Sequence, residues 1–311
     1  MTYSQGGLIE ATDYNNMAGA NPTDVAGTIN RVWGTGYNDR GYGQTAVSQV
    51  AVGNTVTAAQ WASLINAVNN ARKHQAGGGY TNLGVPVTGD SVAYLNTLQT
   101  RIGDAYTNRL ITIDAAPAGY NFTTTTKTFS LVASSGVAAD NNATFTVNFA
   151  SVDAARYFYN TGGWIRLVCT QFFNNGGNAR GASIGTLLQT NWIRREWGAQ
   201  TSNKIGTGGT VSRNYTTGYY SFPAAYDYWD LIYSSGYYSS DFVQTNLYTS
   251  GGSGSNAGNG STNYFQLRAY SGTTGSTGPS DSINVSVTVD LVVFAPVTTF
   301  ISNSWGTITV S

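Results

Sequence analysis

The chain has 311 residues, and its 15 Lys and Arg balance its 15 Asp and Glu, so only 10% of the sequence is charged. A soluble domain is usually about 25% charged. Zero net charge without a basic cluster argues against a nucleic-acid partner, because neutralising phosphates needs many Lys and Arg on one face. No apolar run is long enough for a membrane span, and residues 1–10 lack the basic and apolar regions of a secretory signal.

One cysteine and one histidine exclude an internal disulfide, a cysteine-based zinc cluster and a multi-histidine metal site. We therefore expect no metal and no cofactor. A protein with so few surface charges associates readily. We expect this one to bury much of its surface against copies of itself.

Apolar spacing is helical up to about residue 112 and mostly alternates after it. This change predicts a helical docking and oligomerisation domain over residues 1–112 and a β-sandwich-like domain over residues 113–311. Weak helical patterns cover residues 12–18 and 23–33. The clearest helix begins at Thr57, which forms the sequence pattern of a capping box with Gln60.

Two apolar stripes follow, one on the helix that begins at Thr57 and one on a helix predicted over residues 90–110. Seven of their side chains are our candidates for the oligomer interface: Trp61, Leu64, Ile65, Val68, Leu95, Leu98 and Ile102. Packing within the domain is the alternative. It is the simpler interpretation for the second stripe, which covers only about two to three heptads.

Beyond residue 112 the sequence predicts strands separated by turns, over residues 128–132, 143–149, 164–169, 228–233, 242–248, 264–270, 283–294 and 307–310. Helices are predicted over residues 152–159 and 184–197, and surface loops over residues 250–262 and 271–280. This pattern is typical of an antiparallel sandwich or jelly roll with one or two short helices. The predicted fold class is α+β.

The residue patterns give no catalytic centre. A nucleophile system would have to use His74, the only histidine, which follows Arg72 and Lys73 at a predicted helix end, so we interpret it as a positive cap. Asp227 and Asp230 lie among aromatic residues, as in a sugar-cleaving cleft. Residues three apart on a strand point to opposite faces, however, so glycosidase chemistry is only an alternative.

Calcium is a second alternative, because Asp13, Asp39, Asp140 and Asp281 lie in Asn- and Gly-rich segments. These residue types are also ordinary turn residues, and no twelve-residue calcium loop is present.

Tyrosine is abundant, with 21 residues, and suits strands, protein interfaces and sugar-binding surfaces. The pairs Tyr219-Tyr220 and Tyr237-Tyr238 each turn one ring outward on a strand. These four are our candidate exposed binding aromatics. With the loop over residues 250–262 they could recognise a host-surface glycan.

Several segments resemble virion structural proteins of marine and cyanobacteria-infecting tailed phages. Residues 1–16 (MTYSQGGLIEATDYNN), 29–44 (INRVWGTGYNDRGYGQ) and 52–75 resemble their N-terminal part, and residues 145–167 resemble a recurring element of the same proteins. The resemblance implies a non-enzymatic component of the virion, in the tail, baseplate or fibre, whose partners are its own copies and other virion proteins. A capsid decoration protein and a host-glycan receptor-binding module are the alternatives.

Overall fold

The computed structural model describes residues 10–19, 27–36, 40–90, 92–109, 119–192, 194–198, 227–250, 260–273 and 281–311. The fold is α+β, as predicted, with a helical N-terminal region followed by two antiparallel sheets. The chain divides into two compact units. The first comprises residues 1–121, 153–163 and 295–306, and the second comprises 122–152, 164–294 and 307–311. The predicted boundary at 112 lies outside the described residues, and the first unit also takes two segments from farther along the chain.

Helices α1 (Ala11–Ala18), α2 (Ala58–Ala76) and α3 (Leu95–Thr107) belong to the first unit, which also takes all but the first residue of α4 (Val152–Asn160). The capping box of α2 is confirmed, since the Gln60 amide donates to Thr57 Oγ1 and the Thr57 amide donates to Gln60 Oε1 at 2.8 Å. Helix α3 begins later than predicted because Asp90 closes a turn with Val87 instead. Of the predicted helix over 23–33, residues 23–26 lie outside the described part and Ile29–Arg31 form a 3-10 turn.

The core of the first unit is built from the apolar stripes of α1, α2 and α3. All seven candidate interface residues lie in it, with exposed fractions of no more than 6%. Trp61 packs edge to face on Tyr14 of α1, at 5.2 Å between ring centroids. The stripes therefore cover one another within one chain, and the intramolecular alternative describes these side chains. An oligomer interface has to be sought elsewhere.

Irregular segments of the first unit are held by side-chain amides that each bind both the backbone N–H and the C=O of one distant residue. Four such amide clamps join Asn15 to Val50, Asn30 to Val47, Asn69 to Leu83 and Gln44 to Ser302. A side-chain amide carries one acceptor and two donors, so it can replace a strand partner at one residue. The clamps fix loops that form neither helix nor strand.

The glycine-rich segments 34–36 and 41–43 lie side by side and are joined by backbone hydrogen bonds. The Gly41 amide donates to Thr35 O and the Gly43 amide donates to Gly34 O. A Cβ on Gly41 would lie 2.0 Å from Gly34 O, so the close approach of the two segments requires glycine there.

The second unit holds two sheets, apart from the first two residues of β1 and the last two of β8. The strands are β1 (Tyr120–Ala133), β2 (Ala139–Asn148), β3 (Trp164–Asn174), β4 (Arg194–Gly198), β5 (Asp227–Tyr233), β6 (Phe242–Thr249), β7 (Thr262–Ser271), β8 (Ile283–Pro296) and β9 (Thr309–Val310). The four-stranded sheet has the order β1-β8-β3-β4 and the five-stranded sheet the order β5-β6-β7-β2-β9. Helix α5 (Ala179–Thr186) and a π-helical turn (Leu187–Trp192) lie between β3 and β4.

The sheets form a sandwich-like core because alternate side chains of their long strands are buried. Every predicted strand is present, as is the predicted helix over 152–159. The helix predicted over 184–197 is wrong beyond residue 192, where β4 pairs with β3 and sets Glu196 opposite Arg166. Those two side chains form an ion pair at 2.7 Å, in which Glu196 is buried and Arg166 is partly exposed, and it joins the two paired strands.

Candidate functional site

Strand β1 is an open edge of the four-stranded sheet. It runs for 14 residues, whereas strands usually have about 5–6, and in the described part of the chain it pairs with β8 alone. Its outward side chains are uncharged and exposed, with Phe122 at 71% and Val132 at 66%. An edge of this kind offers a row of backbone donors and acceptors to another strand.

The one charged side chain of β1 turns into the sandwich. Lys127 Nζ donates to Thr144 O of β2 at 2.6 Å and lies 5.3 Å from the centre of the Phe145 ring. Asn141 of β2 donates in the other direction, to Ser130 O at 2.9 Å. Side chains thus join the two sheets along this side and leave the outer surface of β1 without charge.

Arg180 of α5 binds the loops at one end of the sandwich. Its side chain is fully buried. Its guanidinium donates to the Ser271 hydroxyl at 2.9 Å and to the carbonyl oxygens of Val137, Ser271 and Asp281 at 2.6, 3.2 and 3.1 Å. Asp241 reinforces the cluster, because its Oδ1 accepts from the Ser271 hydroxyl and the Gly272 amide. Burial raises the pKa of the Asp241 carboxyl. This arrangement fixes the bases of three loops.

Two of the four candidate binding aromatics lie at this loop end. Tyr237 is 57% exposed, and Tyr238 packs edge to face against it with 5.2 Å between centroids. The Tyr238 hydroxyl donates to Asp281 Oδ2 at 2.8 Å, and burial followed by this hydrogen bond raises its pKa to about 12. Tyr219, Tyr220 and the loop residues 251–259 lie outside the described part.

A row of aromatic rings lies on the outer face of the five-stranded sheet, next to the turn between β5 and β6 that holds Tyr237 and Tyr238. Tyr233 packs on Phe242 at 5.6 Å, and Phe242 stacks on Tyr270 at 4.8 Å. Arg268 beside them forms a two-point pair with Asp140, at 2.8 and 2.5 Å. The surface therefore combines aromatic rings with a partly exposed donor and acceptor pair.

Asp230 is one of the two aspartates that the sequence offered for glycosidase chemistry. Its carboxylate is not placed for catalysis. Asp230 is fully buried and accepts from Arg195 Nε at 2.5 Å, and Arg195 is also fully buried. Burial raises the pKa of Asp230, although the Arg195 guanidinium opposes this change. The pair joins β4 of one sheet to β5 of the other, so its role is structural. The side chain of Asp227 lies outside the described part.

His74 is not the positive helix cap that the sequence predicted. It is 1% exposed, and its Nε2 donates to Thr161 O at 2.8 Å. Burial lowers its pKa to about 4, against the opposing effect of that hydrogen bond. The imidazole is therefore neutral at pH 7, and α2 has only Lys73 as a charged residue in its last turn.

The candidate calcium ligands do not come together. Asp13 accepts from the Glu10 amide in the capping box of α1, Asp140 pairs with Arg268, and Asp281 binds Tyr238. Asp39 lies outside the described residues. Nowhere in the described ranges do three or more His, Cys, Asp or Glu side chains stand where they could hold a metal ion.

Within those same ranges, no helix combines the length and apolar character that a bilayer crossing requires. No family model matches this chain, and neither the curated proteins nor the solved structures contain a match. Sequence reasoning missed the roles of Arg180 and Arg268 because neither lies in a recognisable motif or next to another charged residue in the chain. Only the loops and strands that meet in three dimensions give these two arginines their partners.

Proposed function

We propose that this chain is a non-enzymatic structural protein of a bacteriophage virion, part of the tail, baseplate or fibre apparatus, and that it assembles through contacts between its own copies. The open edge of β1 is the observation that carries the assembly role. Natural proteins usually shorten, charge or cover a long exposed edge. Strand β1 is long and exposed, and its one charged side chain, Lys127, points inward and donates to Thr144 O. A subunit that pairs with another chain needs such an edge.

The virion part of the proposal is supported by the resemblance of residues 29–44, 52–75 and 145–167 to phage structural proteins. The first two segments contribute Ile29, Trp61 and Leu64 to the core of the first unit. Residues that shape a core are constrained together, so a resemblance there reflects a shared architecture more than a shared surface.

The test of assembly is sedimentation velocity of the purified full-length chain at pH 7 and physiological salt. We expect a discrete oligomer that persists as the protein is diluted through the micromolar range. A monomer at every concentration would contradict the proposal. The same measurement at high salt should change little, because the outer side chains of β1 carry no charge.

A receptor-binding role is a second candidate, favoured by the aromatic row at the loop end. Pyranose rings have apolar C–H faces that pack on aromatic side chains, and their hydroxyls bind paired donors and acceptors such as Arg268 and Asp140. The described charges here are two arginines and three aspartates, namely Arg180, Arg268, Asp140, Asp241 and Asp281. Arg180 and Asp241 are fully buried, and the remaining charges have no positive excess, which favours a neutral sugar over an acidic one.

This second role is tested by affinity electrophoresis in gels that contain a neutral glucan, mannan or galactan, with a polyuronate for comparison. We expect retardation by a neutral polymer, and its loss in Tyr233→Ala and in Tyr237→Ala. Phe173→Ala is the matched control, because Phe173 is 55% exposed, close to the 58% of Tyr233, but lies in β3 of the other sheet. Equal loss in the control, or no retardation by any neutral polymer, would remove this candidate.

A further inference from the structure

We propose that two copies of this chain pair their β1 strands antiparallel, edge to edge, so that two four-stranded sheets join into one continuous sheet. The inference rests on the proposed homo-oligomeric function and assigns an interface to it. The occupant of the open edge is thus a second copy of the same strand.

The backbone of β1 meets the first requirement, which is a long edge open to solvent. Residues 121–124 are all exposed, and along the rest of the strand the exposed positions alternate with inward ones up to Val132. In the described part of the chain, no strand lies on the side of β1 away from β8. An added strand would supply backbone partners along β1, as in other complexes formed by strand addition, although Ser130 O already accepts from the Asn141 side chain at 2.9 Å.

The outward side chains of β1 meet the second requirement, which is that the strand complements itself. Thr124, Thr126 and Thr128 are exposed on one face at every second position. If the two-fold axis passes beside Thr126, that residue faces its own copy, and Thr124 faces the partner's Thr128. Threonine pairs across antiparallel strands are favourable. The Thr126 hydroxyl already donates to Asp290 Oδ1 at 2.6 Å and the Thr128 hydroxyl hydrogen-bonds that of Thr288 at 3.2 Å, so the pairing relies mainly on the methyl groups.

The charge on β1 selects this register over its neighbour. A register centred one residue later overlaps equally well, but it sets Lys127 directly opposite its own copy, and like charges in that position are destabilising. The register centred on Thr126 instead sets Lys127 opposite the partner's Thr125. Because Lys127 already binds Thr144 O within its own sandwich, its ammonium does not have to leave that partner when the strands meet.

Two-fold pairing also closes the assembly at this edge. Each copy uses the same patch, so the contact satisfies both edges at once and does not propagate into a filament. Phe122, which is 71% exposed, then lies opposite the partner's Ser130 and is partly covered by the second sheet. Further contacts of a larger assembly would use other surfaces.

Cysteine cross-linking tests this register. In a Cys169→Ser background, which removes the single native thiol, Thr126→Cys places two thiols opposite each other across the axis, within disulfide range. Asn284→Cys is the control, since Asn284 is exposed on β8, which lies inside the sheet and not at its edge. We expect mild oxidation to convert Thr126→Cys into a covalent dimer much faster than Asn284→Cys.

A second experiment, which introduces charge on β1, covers the case in which the cysteine variant misfolds. Thr124→Lys combined with Thr128→Lys sets lysines opposite one another and should weaken dimerisation at least tenfold, whereas Asn284→Lys should leave it unchanged. If the wild type is oligomeric but neither arm responds, this interface is wrong and the proposed function stands. If the wild type is monomeric, both are wrong.

Discussion

Among the described residues of the first unit the buried polar side chains are amides, threonines and one neutral imidazole, whereas the described part of the second unit also buries Arg180, Arg195, Glu196, Asp230 and Asp241. The amides hold loops and the charged groups join strands and loop bases. A side-chain amide forms hydrogen bonds with a backbone N–H and C=O at the same time, and it places no charge in the protein interior. A buried charge requires a fixed partner, and a sandwich of paired strands supplies one.

The few charged side chains are therefore placed differently in the two units. In the first, neutral amides do the work that strand pairing does elsewhere. In the second, several of the few charged side chains are buried, and the outward side chains of β1 carry no charge. The predictions below test this division, from the largest effect to the smallest.

Removing one partner of the buried pair in the second unit should have the largest effect. Asp230→Ala leaves the Arg195 guanidinium buried without its carboxylate, and such a loss usually costs about 3–5 kcal/mol. Urea denaturation measures the change in the free energy of unfolding. A loss below about 1 kcal/mol would show that the pair lies in a wetter environment than its burial indicates.

The neutral imidazole of the first unit should make stability fall in acid. His74 has a folded pKa of about 4 and an unfolded pKa of about 6.5, so below pH 6.5 the unfolded chain binds a proton that the folded one does not. Because the folded pKa is the lower one, His74 contributes fully to the free energy of unfolding above pH 6.5. This contribution falls by about 3 kcal/mol between pH 6.5 and pH 4.

The matched variant for this pH effect is His74→Gln, which keeps a donor for Thr161 O but has no titrating group. Its free energy of unfolding, followed by denaturant titration from pH 7 to pH 4, should lose the part of the slope that His74 contributes. An unchanged slope would mean that the pKa of His74 is the same in the folded and the unfolded chain.

Loss of an amide clamp should lower the free energy of unfolding by less than loss of the buried ion pair, but by much more than substitution of a surface residue. Asn30→Ala removes the partners of Gly19 O, Val47 O and the Val47 amide, and unsatisfied buried backbone groups make a loss of about 2 kcal/mol reasonable. The exposed Asn284→Ala, as control, should stay within about 0.5 kcal/mol of the wild type. Equal stabilities for both variants would contradict the role of the clamp.

The exposed ion pair of the second unit should contribute least. Asp140→Ala removes the partner of Arg268, but both side chains are partly solvated, so we expect a change below about 1 kcal/mol in thermal or urea unfolding. A loss as large as that of Asp230→Ala would show that the contrast between buried and exposed charge has been drawn wrongly.

Local patterns in the sequence predicted most of the elements. The capping box at Thr57 and the alternation along β8 are complete within a few residues of chain, so helix and strand could be identified from them. The segment around Arg195 could not, because charged residues next to Trp192 and Trp197 fit a helix as well as a strand. Its pairing with β3 decides the matter, and that pairing depends on residues far away in the sequence.

The candidate sites were harder to predict for the same reason. An apolar stripe looks the same whether it meets another helix of its own chain or a second subunit, so Leu98 and Ile102 could not be assigned from spacing alone. The open edge of β1 is a property of strand order in the sheet. Tyr237 was predicted to be exposed and is 57% exposed, but it lies in a 3-10 turn (Gly236–Tyr238) and not on a strand, so the alternation that suggested its exposure does not apply there.

The most direct test of the proposed virion role is to look for the chain on purified particles of a phage whose genome carries its gene. Antibodies raised against the full-length protein, viewed by gold labelling in electron microscopy, should mark the tail, baseplate or fibres at several copies per particle. Labelling of the head would move the protein to the capsid decoration alternative. Particles free of the protein, by both labelling and mass spectrometry, would contradict the account.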